Sequence, residues 1–158
     1  TGETANNGDG RLIATCCGIL GFDFSSKGDL IVANLGQYRV TVLNDAWDGY
    51  KSVWGKSGTH PEDFCGCCNP VSLAVTSDGN IITAEETVPR LKIYSPDGKR
   101  LLAISNYNDF SPECSRLTMA LGPDGTIYAV DEAQKQIKAF KLSEKPAKLQ
   151  DLKDQYSR

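Results

Sequence analysis

Apolar and polar residues alternate along this chain in short bursts. Phe22 and Phe24, Leu73 and Val75, and Met119 and Leu121 are every-other-residue apolar pairs, a period of two that predicts half-buried strands. Each pair runs into a turn signal, Lys27-Gly28, Asp78-Gly79 or Asp124-Gly125, which reads as a hairpin. A second strand follows, as LIVAN (30–34), IITAE (81–85) or IYAVD (127–131), and then a third, as RVTVL (39–43), RLKIY (90–94) or QIKAF (136–140). These are rich in the β-branched and aromatic residues that suit a pleated surface. Asp48-Gly49 and Asp97-Gly98 then lead into fourth strands, YKSVW (50–54) and RLLAI (100–104). Helical spacing is confined at most to the C-terminal tail.

The strands belong to an internal repeat. Gly28, Gly79 and Gly125 are spaced by 51 and 46 residues, and Cys17, Cys68 and Cys114 by the same intervals. In the same phase, Asn34, Glu85 and Asp131 end the second strands. Four antiparallel strands in about 45 to 50 residues is the period of a propeller blade, so the expected fold is an all-β propeller. Blades are expected over 16–56, 65–106 and 114–152, with 1–15 supplying the fourth strand (RLIAT) of a preceding blade. Closed propellers have about 4 to 8 blades, so three make about half a ring. The chain is expected to be completed as a fragment of a longer chain, as a homodimer forming a six-bladed ring, or by pairing with another chain. In the homodimer, RLIAT of one subunit would complete the third blade of its mate and cover strand edges that otherwise invite aggregation.

The segment NPVSLAVTSDGNIITAEETVPRLKIYSPDGKRLL resembles an NHL repeat, in which Asn-Pro opens the inner strand, Asp-Gly makes the first hairpin and a second Asp-Gly follows the third strand. The likeness runs roughly from Cys17 to Leu142, with Gly18-Ile19 and Ser115-Arg116 departing from Asn-Pro in the outer copies. It implies a six-bladed propeller, and the doubled cysteines mark a cysteine-rich variant. A propeller alone does not specify function.

Composition narrows the classes. In 158 residues, 40% are hydrophobic and the net charge is only -3, which suits a folded core and excludes a disordered chain. Neither a basic face for nucleic acid nor an apolar run long enough for a membrane helix is present. The sequence holds no G-x-S-x-G, H-E-x-x-H or G-x-x-x-x-G-K motif, so it leans away from an enzyme. Any histidine-assisted nucleophile would need His60, the sole histidine, in the loop GKSGTHPEDF.

The six cysteines carry the candidate chemistry: Cys16 and Cys17 in ATCCG, Cys65, Cys67 and Cys68 in FCGCCNP, and Cys114 in ECS. Residues in one repeat phase are related by rotation about a propeller axis, so Cys17, Cys68 and Cys114 are expected on one arc at the channel mouth. Converging thiolates suit an iron–sulfur cluster, zinc or copper, with His60 as a further zinc ligand. The C-x-C-C spacing is neither a ferredoxin run nor a zinc-ribbon pair. Disulfides between blades or between the vicinal pairs Cys16–Cys17 and Cys67–Cys68, and plain buried thiols, remain alternatives. Asn34, Glu85 and Asp131 are expected to bond backbone groups of the adjacent hairpin, and Arg39, Arg90 and Gln136 to pair locally. Trp47 and Trp54 are expected to pack between blades.

Two functions follow as expectations. One is a non-enzymatic propeller with a cysteine-ligated metal or iron–sulfur centre for electron transfer with a partner protein. The other is an NHL-type scaffold that binds a protein or ligand, with structural cysteines. The cysteine content and the absence of an initiating methionine point to an extracytoplasmic, periplasmic or secreted location.

Overall fold

A computed structural model describes residues 21–46, 49–105, 107–112, 114 and 116–142. Eleven strands are assigned there: β1 (Phe22–Phe24), β2 (Leu30–Asn34), β3 (Arg39–Leu43), β4 (Tyr50–Trp54), β5 (Ser72–Val75), β6 (Ile81–Glu85), β7 (Arg90–Tyr94), β8 (Arg100–Ala103), β9 (Met119–Leu121), β10 (Ile127–Asp131) and β11 (Gln136–Phe140). The expected second and third strands match residue for residue, and the last fourth strand stops one residue early. RLIAT, Trp47 and the tail beyond Leu142 lie outside the described residues.

The strands form three antiparallel sheets, in the orders β1-β2-β3-β4, β5-β6-β7-β8 and β9-β10-β11. The first hairpin of each sheet is looser than a two-residue turn. In the second, the Thr76 N–H donates to the Asn80 carbonyl at 2.9 Å and the Gly79 N–H to the Thr76 carbonyl at 2.9 Å. Gly79 sits at φ +87°, so this is a three-residue loop closed by a left-handed residue, the position that favours glycine.

The first strands converge: β5 lies between β1 and β9, and the Val75 N–H donates to Asp23 Oδ2 at 2.8 Å. The sheets stack through alternate positions. Ile31, Ala33, Val40 and Val42 of the first sheet share one core with Ile81, Ile82, Ala84, Leu91 and Ile93 of the second and Met119, Ile127 and Ala129 of the third. On the other face of the first sheet, Leu30, Val32 and Leu43 pack with Tyr50 as a separate cluster.

The third sheet has one covered face. Ile127, Ala129 and Asp131 are buried, whereas Tyr128 and Val130 between them are exposed. Val130 pairs with Ile137 and Tyr128 with Ala139 across the strands, so one continuous face is open to solvent.

Trp54 packs between the first two blades, as expected. It stacks with Phe64 at 6.4 Å between ring centroids and lies 4.8 Å from Tyr94.

Candidate functional site

The linker before the second blade carries Cys65, Cys67 and Cys68, and a buried polar cluster fixes it. Glu85 ends β6 and Arg90 opens β7; they are paired partners across the hairpin. The Arg90 guanidinium grips Glu85 through Nε at 3.0 Å and Nη2 at 2.8 Å. Lys92 Nζ lies 2.6 Å from Glu85 Oε1, with both side chains fully buried. From there Lys92 donates to the Asp63 carbonyl at 2.8 Å, Arg90 to the same carbonyl at 3.1 Å, and the Tyr94 hydroxyl to the Glu62 carbonyl at 3.0 Å. Glu85 Oε2 accepts the Cys65 N–H at 3.1 Å. Buried ions need such full pairing to be tolerated.

The third blade repeats this arrangement. Asp131 Oδ2 accepts the Ser111 N–H at 2.7 Å and lies 3.2 Å from Lys138 Nζ, and Lys138 donates to the Asp109 carbonyl. Lys92 sits 4.8 Å from the Phe64 ring centroid and Lys138 5.5 Å from that of Phe110. Every participant is 46 residues from its counterpart. In the first blade Asn34 Nδ2 donates to Thr41 Oγ1 at 3.3 Å, a neutral version. Glu85 and Asp131 thus each accept a backbone N–H from the linker before their blade, where the adjacent hairpin was expected; Asp131 also accepts the Gln134 N–H of that hairpin at 3.1 Å. The two lysines and two phenylalanines were missed from the sequence, although their shared spacing was the signal.

Asn69 ties the far end of the cysteine linker. It is fully buried, accepts the Glu86 N–H at 2.8 Å, donates to the Glu86 carbonyl at 2.9 Å and also donates to the Cys65 carbonyl. Cys68 beside it has φ +60°. At Gly66 a Cβ would come within 2.7 Å of Thr87, so this turn and the 85–87 turn press together.

The described cysteines occupy different states. Cys65, Cys67 and Cys114 are thiols, whereas Cys68 is disulfide-bonded. Cys67 is exposed, and its sulfur lies 3.0 Å from that of Cys68. Cys114 is buried; its Sγ contacts the Arg116 and Val130 carbonyls at 3.8 and 4.0 Å, and burial pushes its thiol pKa up. Cys16 and Cys17 lie outside the described residues. Among the described residues, no three His, Cys, Asp or Glu side chains are placed to hold one metal ion. His60 is exposed.

The described residues also line open clefts. One of about 250 Å³ lies where the inner strands meet, against Gly21, Phe22, Val71, Leu73, Thr118 and Met119. Another, of about 300 Å³, lies between the first two blades at the Asp-Gly end, with Ile31, Val42 and Ile81 below Asp29, Lys51 and Asp78. Lys51 bonds both Asp29 carboxylate oxygens at 2.8 Å, and this holds the Asp29 carboxyl below its ordinary pKa.

Solved structures share this architecture. A protein of unknown function from Bacteroides caccae superposes with a TM-score of 0.55 at 13% identity, over 84% of this chain and 46% of its own. A catalytically inactive virginiamycin B lyase from Staphylococcus aureus, solved with quinupristin, gives 0.50 at 15% identity, over 79% and 41%. The fold is β-propeller-like. This chain spans less than half the length of either neighbour. No protein-family model matches it, and no curated protein does. No helix among the described residues is long and apolar enough to cross a membrane.

Proposed function

We propose that this chain is a non-enzymatic binding scaffold, half of a six-bladed NHL-type propeller whose ring is completed by a second copy. The open face of the third sheet carries this reading. Tyr128, Val130 and Ile137 are 42, 38 and 71% exposed, while Ile82, Ala84 and Leu91, at the same repeat positions of the second blade, are 0% exposed. A contiguous apolar face of this kind marks an interaction site. Two sets of three sheets would make a ring of six, in keeping with neighbours about twice as long.

The cysteine states favour a structural role over an iron–sulfur or electron-transfer centre. In its disulfide, Cys68 offers no thiolate, and Cys114 is turned to backbone carbonyls. The described residues thus do not present the four thiolates that a cluster takes. A disulfide also favours an oxidising, extracytoplasmic compartment.

The test is sedimentation of the purified chain together with its visible spectrum. A colourless particle of twice the chain mass is expected. A monomer would overturn the second copy as ring partner, and a brown band near ~400 nm that titrates with iron would restore the cluster reading.

A further inference from the structure

We infer that the second copy docks front to back: the Phe22 and Phe24 face of the first sheet in one copy packs on the open third-sheet face of the other, and a two-fold axis makes this junction twice. This docking rests on the second copy proposed above as ring partner and names the surface that copy presents.

Phe22 pairs with Val32 and Phe24 with Leu30 across β1 and β2, and residues directly opposed in a sheet share a face. That face is turned away from the second blade, because Ile31 and Ala33, which alternate with Leu30 and Val32, are the ones in the shared core. Phe22 and Phe24 are 56 and 48% exposed. Their rings meet edge to face at 6.4 Å between centroids, so they form one apolar patch.

The repeat says what such a patch packs against. At spacings of 51 and 46 residues, Phe22 corresponds to Leu73 and Met119, and Phe24 to Val75 and Leu121. Leu73 and Met119 are buried, and Val75 and Leu121 pack half-buried against the shared core. The opposite faces follow the same rule. Ile31, Ala33 and Val40 in the first blade are buried like their second-blade counterparts Ile82, Ala84 and Leu91, whereas the third-blade set, Tyr128, Val130 and Ile137, is exposed. Each junction inside the chain therefore joins the back of one blade to the front of the next, and β5 lies against both β1 and β9. The two bare sets are the front of the first blade and the back of the third, the two sides of one more junction of the same kind.

The alternative of stacking two third-sheet faces would leave both phenylalanine patches in water, at the cost of unburied apolar surface. Front-to-back stacking covers both. Three of six blades fill half a turn, so one two-fold rotation closes the ring instead of extending a filament.

The test is sedimentation velocity on two variants, alone and mixed. Phe22→Asp/Phe24→Asp spoils the front and Ile137→Asp the back, with folding checked by circular dichroism; Phe24→Ser and Ile137→Ser serve as a milder pair. Alone, each variant has one spoiled side in both junctions and is expected to run at the chain mass, at a concentration where the wild type runs at twice that mass. Mixed in equal amounts, the intact back of the first meets the intact front of the second, and the doubled mass is expected to return in part. A dimer formed by either variant alone, or monomers that stay monomeric when mixed, overturns front-to-back docking. Neither result touches the second-copy reading, which falls if the wild-type chain is a monomer.

Discussion

Lys92 and Glu85 face each other across β6 and β7 with 2.6 Å between Nζ and Oε1 and no solvent on either side chain. Arg90 already neutralises Glu85 through two bonds, so Lys92 is the surplus cation of the cluster. Burial pushes its pKa down to about 8, against an opposing pull from Glu85. Because the folded value lies below the ordinary 10.5, the unfolded chain binds more protons between those two values. Stability is therefore expected to rise with pH across that window. Denaturant titrations should show a steeper rise for the wild type than for Lys92→Met.

Removing the acid from the same cluster should be severe. Glu85→Gln leaves Lys92 and Arg90 as buried cations without a counter-charge, and a loss of roughly 3 to 5 kcal/mol is expected. Urea unfolding measures it. Asn34→Ala, in the neutral version of the cluster, should cost only about 1 kcal/mol.

Two glycines at nearly the same backbone angle separate conformational cost from packing cost. Gly28 and Gly98 have φ of +86° and +84°, but a Cβ at Gly28 meets nothing within 4 Å, while at Gly98 it would lie 2.3 Å from the Trp54 ring. Gly28→Ala is expected to cost about 1 to 2 kcal/mol, the left-handed penalty alone. Gly98→Ala should cost more and also blue-shift or broaden the Trp54 fluorescence, since the ring must move off Phe64 and Tyr94.

The strands were legible because their information is local: alternation sets the face, and Asp-Gly sets the turn. The contact between Lys92 and the Asp63 carbonyl was not, since RLKIY reads locally as a strand with a solvated polar face. The face is covered because Phe64 and the linker fold back over it, a long-range event that alternation does not encode. The cysteines divide likewise. Their shared phase was visible, but the disulfide at Cys68 and the contact of Cys114 with the Val130 carbonyl depend on what each loop meets after folding.

The open sheet face predicts a clean separation of folding from association. Ile137 is 71% exposed in the single chain, so Ile137→Asp should leave the melting temperature of the dilute monomer nearly unchanged. The same substitution buries an unpaired charge on stacking and should abolish the dimer. Analytical ultracentrifugation at increasing concentration distinguishes the two effects.

Asn69 should be the weak point of the cysteine linker. Asn69→Ala leaves the half-buried Glu86 N–H and carbonyl without this partner, and about 1 to 2 kcal/mol is expected to be lost. Faster proteolytic cutting within 56–69 than in the wild type would register the release.

The lysine anchors also define where one structural unit ends and the next begins. Because Lys92 and Lys138 each hold the linker that leads into their own blade, a blade carries its upstream connector with it. The heritable cassette of this architecture therefore starts ahead of Phe64 or Phe110 rather than at the first strand. Chimeras and circular permutants spliced upstream of Glu62 or Asp109 keep these anchors within their own cassettes, whereas splices at the inner strand cut through them.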